Sequence, residues 1–151
     1  MAKRKTWREK LEAKQERKIV DNPRKEGTLL IPRPLDVDAL MRRVPKGKLI
    51  TITQIRGRLA GEHGADDTCP LCAGIFLRIA AEVAEEDLGM GVADITPYWR
   101  VLKGDGRLNE KFPCGVEAQA ARLEEEGHTI EPGRGKKPPK VKDFEGSLVE
   151  L

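Results

Sequence analysis

Three cysteines and two histidines are the residues of this chain with the most direct chemical capability. Cys69-Pro70-Leu71-Cys72 has the two-residue spacing of a zinc half-site or of a dithiol redox pair, because one tight turn then carries both sulfurs to one side. The pair stands where a helix is expected to start, a location that lowers a thiol pKa. Cys114, His63 and His128 complete a set of four ligands only if the fold brings them close. Otherwise Cys69 and Cys72 are small residues that let a helix approach its partner. A second group is Pro97-Tyr98-Trp99-Arg100, which holds two of the six aromatic residues side by side. Two rings fixed behind a proline form either a core anchor or a stacking platform for a ligand. Glu126, just before Gly127, is either a helix-end carboxylate or a base.

The chain that must position these residues has 151 residues, of which 38% are hydrophobic and 35% charged. Its length suits one domain with a modest core. No apolar run approaches the ~20 residues that span a bilayer, and no apolar signal segment opens the chain, so a cytoplasmic protein with reduced thiols is expected. The net charge of +3 is unevenly placed. Residues 1–26 hold 10 Lys and Arg against 5 Asp and Glu, residues 27–130 hold 13 against 16, and residues 131–151 hold 5 against 4. The middle is therefore no uniformly basic nucleic-acid binder, and phosphate affinity must come from local patches and the two ends. Three segments follow: a basic arm over 1–26, a domain over 27–130, and a basic Pro/Gly loop with a tail over 131–151.

Lys3 to Lys18 reads as a charged helix with Trp7 and Leu11 on one face, either a solvated arm or one lying on phosphates. Thr28 to Ile31 is a short strand, and Asp36 can cap a helix over Val37 to Arg43. Thr51-Ile52-Thr53-Gln54 has the form of a capping box, which predicts a helix from Ile52 to about Ala60. After a polar turn, a helix with Pro70 in its first turn runs to about Glu86, with Ile75, Ile79 and Val83 on its buried side. Two helices joined by a glycine-bearing turn make a helix-turn-helix candidate. Trp99 to Leu102 reads as a strand, Gly104-Asp105-Gly106 as a turn and Arg107-Leu108 as the return, a hairpin of the kind that serves as a wing. A last helix spans Glu117 to Glu126 and stops at Gly127. His128 to Ile130 can pair with Val141 to Phe144 across Pro-Gly-Arg-Gly-Lys-Lys-Pro-Pro, or the tail is disordered.

In this order the elements resemble the C-terminal domain of alkylguanine-DNA alkyltransferases, over roughly Asp36 to Ile130. Val44-Pro45-Lys46-Gly47 through Thr51 is similar to the family's Val-Pro-x-Gly-x-x-x-Thr. Pro97-Tyr98-Trp99-Arg100-Val101, followed by Gly104-Asp105-Gly106, is similar to its Pro-Cys-His-Arg-Val and glycine turn. Gly115, the last helix and Glu126-Gly127 match its closing features. The resemblance implies a mainly α fold with short β-hairpins, a winged helix-turn-helix. It implies contacts to double-stranded DNA through Thr51, Thr53, Leu71, Cys72 and Gly74 on the two helices. The base pocket would lie at Pro97, Tyr98, Trp99, Arg100 and Gly104.

The family's acceptor cysteine is replaced by Tyr98 and its histidine by Trp99, which leaves Glu126 as the former relay carboxylate. A phenol with a pKa near about 10 and an indole without a basic nitrogen cannot replace a base-activated thiolate. The resemblance therefore narrows to alkyltransferase-like proteins, which bind alkylated bases without repairing them, as monomers, with no cofactor and with other repair proteins as partners. Leu71 stands at the place of the family's arginine finger and Ile52 at that of its tyrosine. A leucine can still wedge between bases. Two readings from other classes stay open: a zinc-binding or thiol-redox module on Cys69 and Cys72, and a protein-interaction domain that kept the fold without DNA.

Overall fold

The computed structural model describes residues 5–150. Its centre is a 20-residue helix, α4 (Pro70–Gly89), about 30 Å long at 1.5 Å per residue. Ala73, Leu77, Ala80, Ala81 and Ala84 make its most buried stripe, each at most 2% exposed. These small residues let neighbouring helices approach closely. α2 (Pro34–Arg42) and α3 (Ile52–His63) pack here, bringing Val37, Leu40, Met41, Ile55 and Leu59 into one apolar cluster. A second, smaller cluster holds Leu49, Leu102, Leu108, Leu123, Val141 and Phe144, beneath α5 (Gly115–Glu125). Trp99 packs against both clusters.

α3 begins where its capping box requires. Thr51 Oγ1 accepts from the Gln54 amide at 3.1 Å, and Gln54 Oε1 accepts from the Thr51 amide at 3.0 Å. The helix runs three residues beyond Ala60, to His63, and Gly64 terminates it in the left-handed conformation at φ 73°. α2 differs from expectation at its start. Arg33 is the capping position and Pro34 the first residue, so Asp36 sits in the first turn, where its carboxylate accepts from the Arg33 amide at 2.9 Å. Arg17 also reaches Asp36, at 2.7 and 2.8 Å. α4 runs three residues past Glu86, and Ile75 lies outside the buried stripe at 49% exposure, because it faces away from Ala73 and Leu77, which are buried in the same turns.

The described residues near both ends belong to the fold. Of the helix expected over Lys3 to Lys18, Lys3 and Arg4 lie outside the described residues. The helix observed, α1, is Trp7–Leu11, capped by Thr6 and Glu9. Leu11 is buried in the main cluster and Arg8 pairs with Asp87 of α4 at 2.5 Å. Residues 18–21 form β1 (Lys18–Asp21), antiparallel to β2 (Thr28–Ile31), which in turn runs parallel to β4 (Asp67–Thr68). A free basic arm over 1–26 is thus corrected from residue 5 onward: Trp7 and Leu11, one turn apart, find an apolar partner in α4.

The expected wing also differs. β5 (Val101–Leu102) pairs in parallel with β3 (Ile50–Thr51), while Arg107 bridges to Lys140. The turn itself is closed by the Lys103 amide on the Arg107 carbonyl at 2.9 Å. β6 (Ile130–Glu131) and β7 (Lys140–Val141) form the hairpin anticipated across the Pro/Gly loop, with Ile130 opposite Val141. The tail beyond is docked: Phe144 is buried and the Val149 amide donates to Leu49 at 2.9 Å. No helix among the described residues is long and apolar enough to cross a membrane.

Candidate nucleic-acid interface

Tyr98, Trp99 and Arg100 form one turn of 3-10 helix behind Pro97, so of the strand expected over Trp99 to Leu102 only Val101 and Leu102 are extended. Three residues per turn send their side chains in three directions rather than alternately up and down. Tyr98 points inward, is 2% exposed, and lies edge-on to Phe112 and to Trp99 at ring-centroid distances of 5.2 and 5.5 Å. Its hydroxyl donates to Glu85 of α4, which also pairs with Arg122 of α5 at 2.8 Å. Burial, and then the hydrogen bond to Glu85, push the phenol pKa up from its ordinary value. Tyr98 is therefore a neutral core phenol and not a surface on which a base can stack.

Trp99 is half-buried and held from three directions. Arg122 lies over its ring at 4.5 Å, Arg100 at 5.5 Å, and its indole N–H donates to Glu126 at 3.0 Å. Arg100 donates Nε and Nη2 to Glu126 at 2.9 and 2.7 Å and Nη1 to the Val44 carbonyl at 2.7 Å. Burial raises the Glu126 carboxyl, and the bonds from Arg100 and Trp99 more than offset that, leaving its pKa below the usual value. Glu126 is thus the acceptor of an ion pair, tying α5 to the loop before β3. Gln119, buried at 2% exposure, donates to the Trp99 and Val101 carbonyls at 3.0 and 3.1 Å and holds the same turn from behind.

The helix-borne residues gather elsewhere. Leu71 is 73% exposed on the first turn of α4, and Ile75, one turn on, borders the same depression of about 390 Å³. Ile52, Pro70, Gly74, Arg78, Lys103, Asn109, Glu110 and Lys111 complete its lining, and Lys103 pairs there with Glu110 at 2.8 Å. A Cβ at Gly74 would meet nothing within 4 Å, so this surface is open to close approach. Thr51 is buried as the α3 cap, while Thr53 is exposed and packs against Gly104, where a Cβ would come within 2.7 Å of the Thr53 hydroxyl. Leu71, Gly74 and, through the following turn, Gly104 therefore share one face. Pro97, Trp99 and Arg100 border a separate depression with Arg42, Ala93, Asp94 and Ile95. Lys103, Lys111, Glu85, Arg122 and Gln119 carried no signal in the sequence: their importance arises from contacts between distant segments.

Cys69 caps α4 and Cys72 lies in its first turn, both half-buried. The Cys72 thiol is pushed up to about 11, first by burial and then by its hydrogen bond to Cys69. This reverses the lowering expected from the helix N-terminus, because desolvation outweighs the dipole here. Among the described residues no three His, Cys, Asp or Glu side chains converge to hold a metal ion. At pH 8 a thiol raised to about 11 is ionised roughly 100-fold less than an ordinary one. Iodoacetamide labelling of Cys72, followed by mass spectrometry, should accordingly be far slower than that of a cysteine peptide and accelerate only near pH 10.

No protein-family model matches the chain, and no curated protein matches it by sequence. Among solved structures, the crystal structure of S. pombe Atl1 in complex with damaged DNA containing O6-carboxymethylguanine is similar to it at a TM-score of 0.55 and 21% identity. The match covers 78% of this chain and 94% of that one. The chain has the alkyltransferase-like fold of that protein, mainly α with short strands.

Proposed function

We propose that this chain binds double-stranded DNA carrying an alkylated or distorted base, without chemically altering it, as an alkyltransferase-like sensor that hands the site to other repair proteins. The observation that carries this reading is the exposed pair Leu71 and Ile75 at the start of α4, set among Arg78, Lys103 and Lys111. Two apolar side chains presented to solvent on such a helix suit a minor-groove wedge, with Arg78 and Lys111 taking phosphates while Lys103 is held beside them by Glu110 at 2.8 Å. The Atl1 structure, solved with damaged DNA, supports the same use of the fold. Tyr98 is buried and Trp99 is covered by guanidinium groups, so contact with the bases falls to Leu71 and Ile75, which would wedge between them rather than stack.

The reading without alkyl transfer rests on Tyr98. A buried phenol with a raised pKa and a carboxylate partner is a poor nucleophile, and Glu126 is already engaged by Arg100. Comparing binding to a plain duplex with binding to one containing a single O6-alkylguanine tests recognition. Mass spectrometry of the same mixtures tests chemistry. The expected result is tighter binding of the alkylated duplex with the protein mass unchanged; a protein heavier by one alkyl group contradicts the proposal.

Leu88, Met90 and Val92, between 41 and 71% exposed at the other end of α4, favour a second reading, an interaction module for another protein. Absence of duplex binding at low salt selects that reading.

A further inference from the structure

The loop joining β6 to β7, residues 132–139, plays no part in the interface described so far. Arg134, Lys136 and Lys137 are exposed on it, and no ion pair among the described residues includes them. The loop nevertheless has a set shape. The Lys137 amide donates to the Arg134 carbonyl at 3.1 Å, and a Cβ at Gly133 would fall 1.9 Å from the Lys137 carbonyl oxygen, so the chain closes on itself only with glycine there. Its base is braced against the turn that follows β5. Arg107 Nη1 donates to the Pro138 carbonyl at 2.9 Å and the Leu108 amide to Pro139 at 2.9 Å. That turn begins at Lys103, which borders the Leu71 depression. The backbone carrying the three exposed cations is thus preformed and joined through this turn to Lys103 at the Leu71 depression, so little backbone ordering remains to be done on binding.

We propose that this loop is a second phosphate-binding element for duplex DNA, a basic wing that lengthens the footprint beside α4. It takes the place that the sequence suggested for the hairpin at Gly104 to Gly106, whose return segment pairs with β7 instead. The inference rests on the duplex-binding proposal and adds to it a set of backbone contacts independent of the base sequence.

The test is the salt dependence of duplex affinity, measured with the full chain and with the triple variant Arg134→Ala, Lys136→Ala, Lys137→Ala. Each phosphate neutralised contributes about 0.9 to the slope of log affinity against log salt, so three contacts correspond to a loss of about 2.7. A shallower slope by that order, with at least tenfold weaker binding at low salt and an unchanged preference for alkylated over plain duplex, is expected. An unchanged slope with the parent chain still binding overturns the wing and leaves the α4 interface standing. Failure of the parent to bind duplex overturns both.

Discussion

Replacing Glu126 by alanine should lower folding stability by about 3–5 kcal/mol, because it strands a buried charge. The Glu126 and Arg100 side chains are 7 and 13% exposed, and their closest approach is 2.7 Å. Removal of the carboxylate leaves the Arg100 guanidinium with only the Val44 carbonyl, and the Trp99 indole N–H loses its acceptor. Removing both partners, Arg100→Ala with Glu126→Ala, should cost less than the two single losses added, since neither charge is then left alone. The pH dependence has a definite sign. Glu126 has a folded pKa below its unfolded value of about 4.3, so its contribution is fully present above that value and is lost as pH falls through the folded pKa. Urea melts of parent and Glu126→Ala should therefore differ most at pH 7 and converge in acid. A difference independent of pH would mean that the ion pair is not what holds this turn.

Tyr98→Ala should be comparably severe, at about 3–5 kcal/mol, the usual range for deleting a buried aromatic ring. The ring sits between Phe112 and Trp99 at the junction of α4 and α5, and its loss opens a cavity there. Tyr98→Phe keeps the ring and gives up only the hydroxyl bond to Glu85, which Arg122 still neutralises, at a cost of about 1 kcal/mol. The pair of variants separates a core role from a ligand-binding one. Thermal melts should place Tyr98→Phe near the parent and Tyr98→Ala well below it, while duplex affinity of Tyr98→Phe stays within twofold. A large affinity loss in a stably folded Tyr98→Phe would return the phenol to the binding site.

These two residues mark where the sequence could be read and where it could not. The capping box at Thr51 and Gln54 was legible because both partners lie within one helical turn. The pairing of Ile130 with Val141 was legible because a Pro/Gly loop must return the chain to its start. Tyr98 and Trp99 stood out as a pair, but their directions depend on a 3-10 turn whose outcome is decided by Glu85, Arg122 and Glu126, each far away along the chain. Ile75 shows the same limit. Its spacing to Ile79 and Val83 is that of a buried face, yet periodicity does not say which side of the first turns is covered; there it is the side of Ala73 and Leu77, which leaves Ile75 exposed beside Leu71. The exposed wedge of the candidate interface thus comes from which side of α4 its partners cover, a property of the assembled fold.

The most direct test is a duplex titration at low salt with the parent chain and with Leu71→Glu combined with Ile75→Glu. Both side chains are already exposed, so the substitution should leave the fold intact by circular dichroism, while placing two like charges against the phosphates. The expected result is binding by the parent and a loss of at least tenfold in the variant, about 1.4 kcal/mol. Equal affinity of the two would contradict the assignment of α4 as the DNA-facing element.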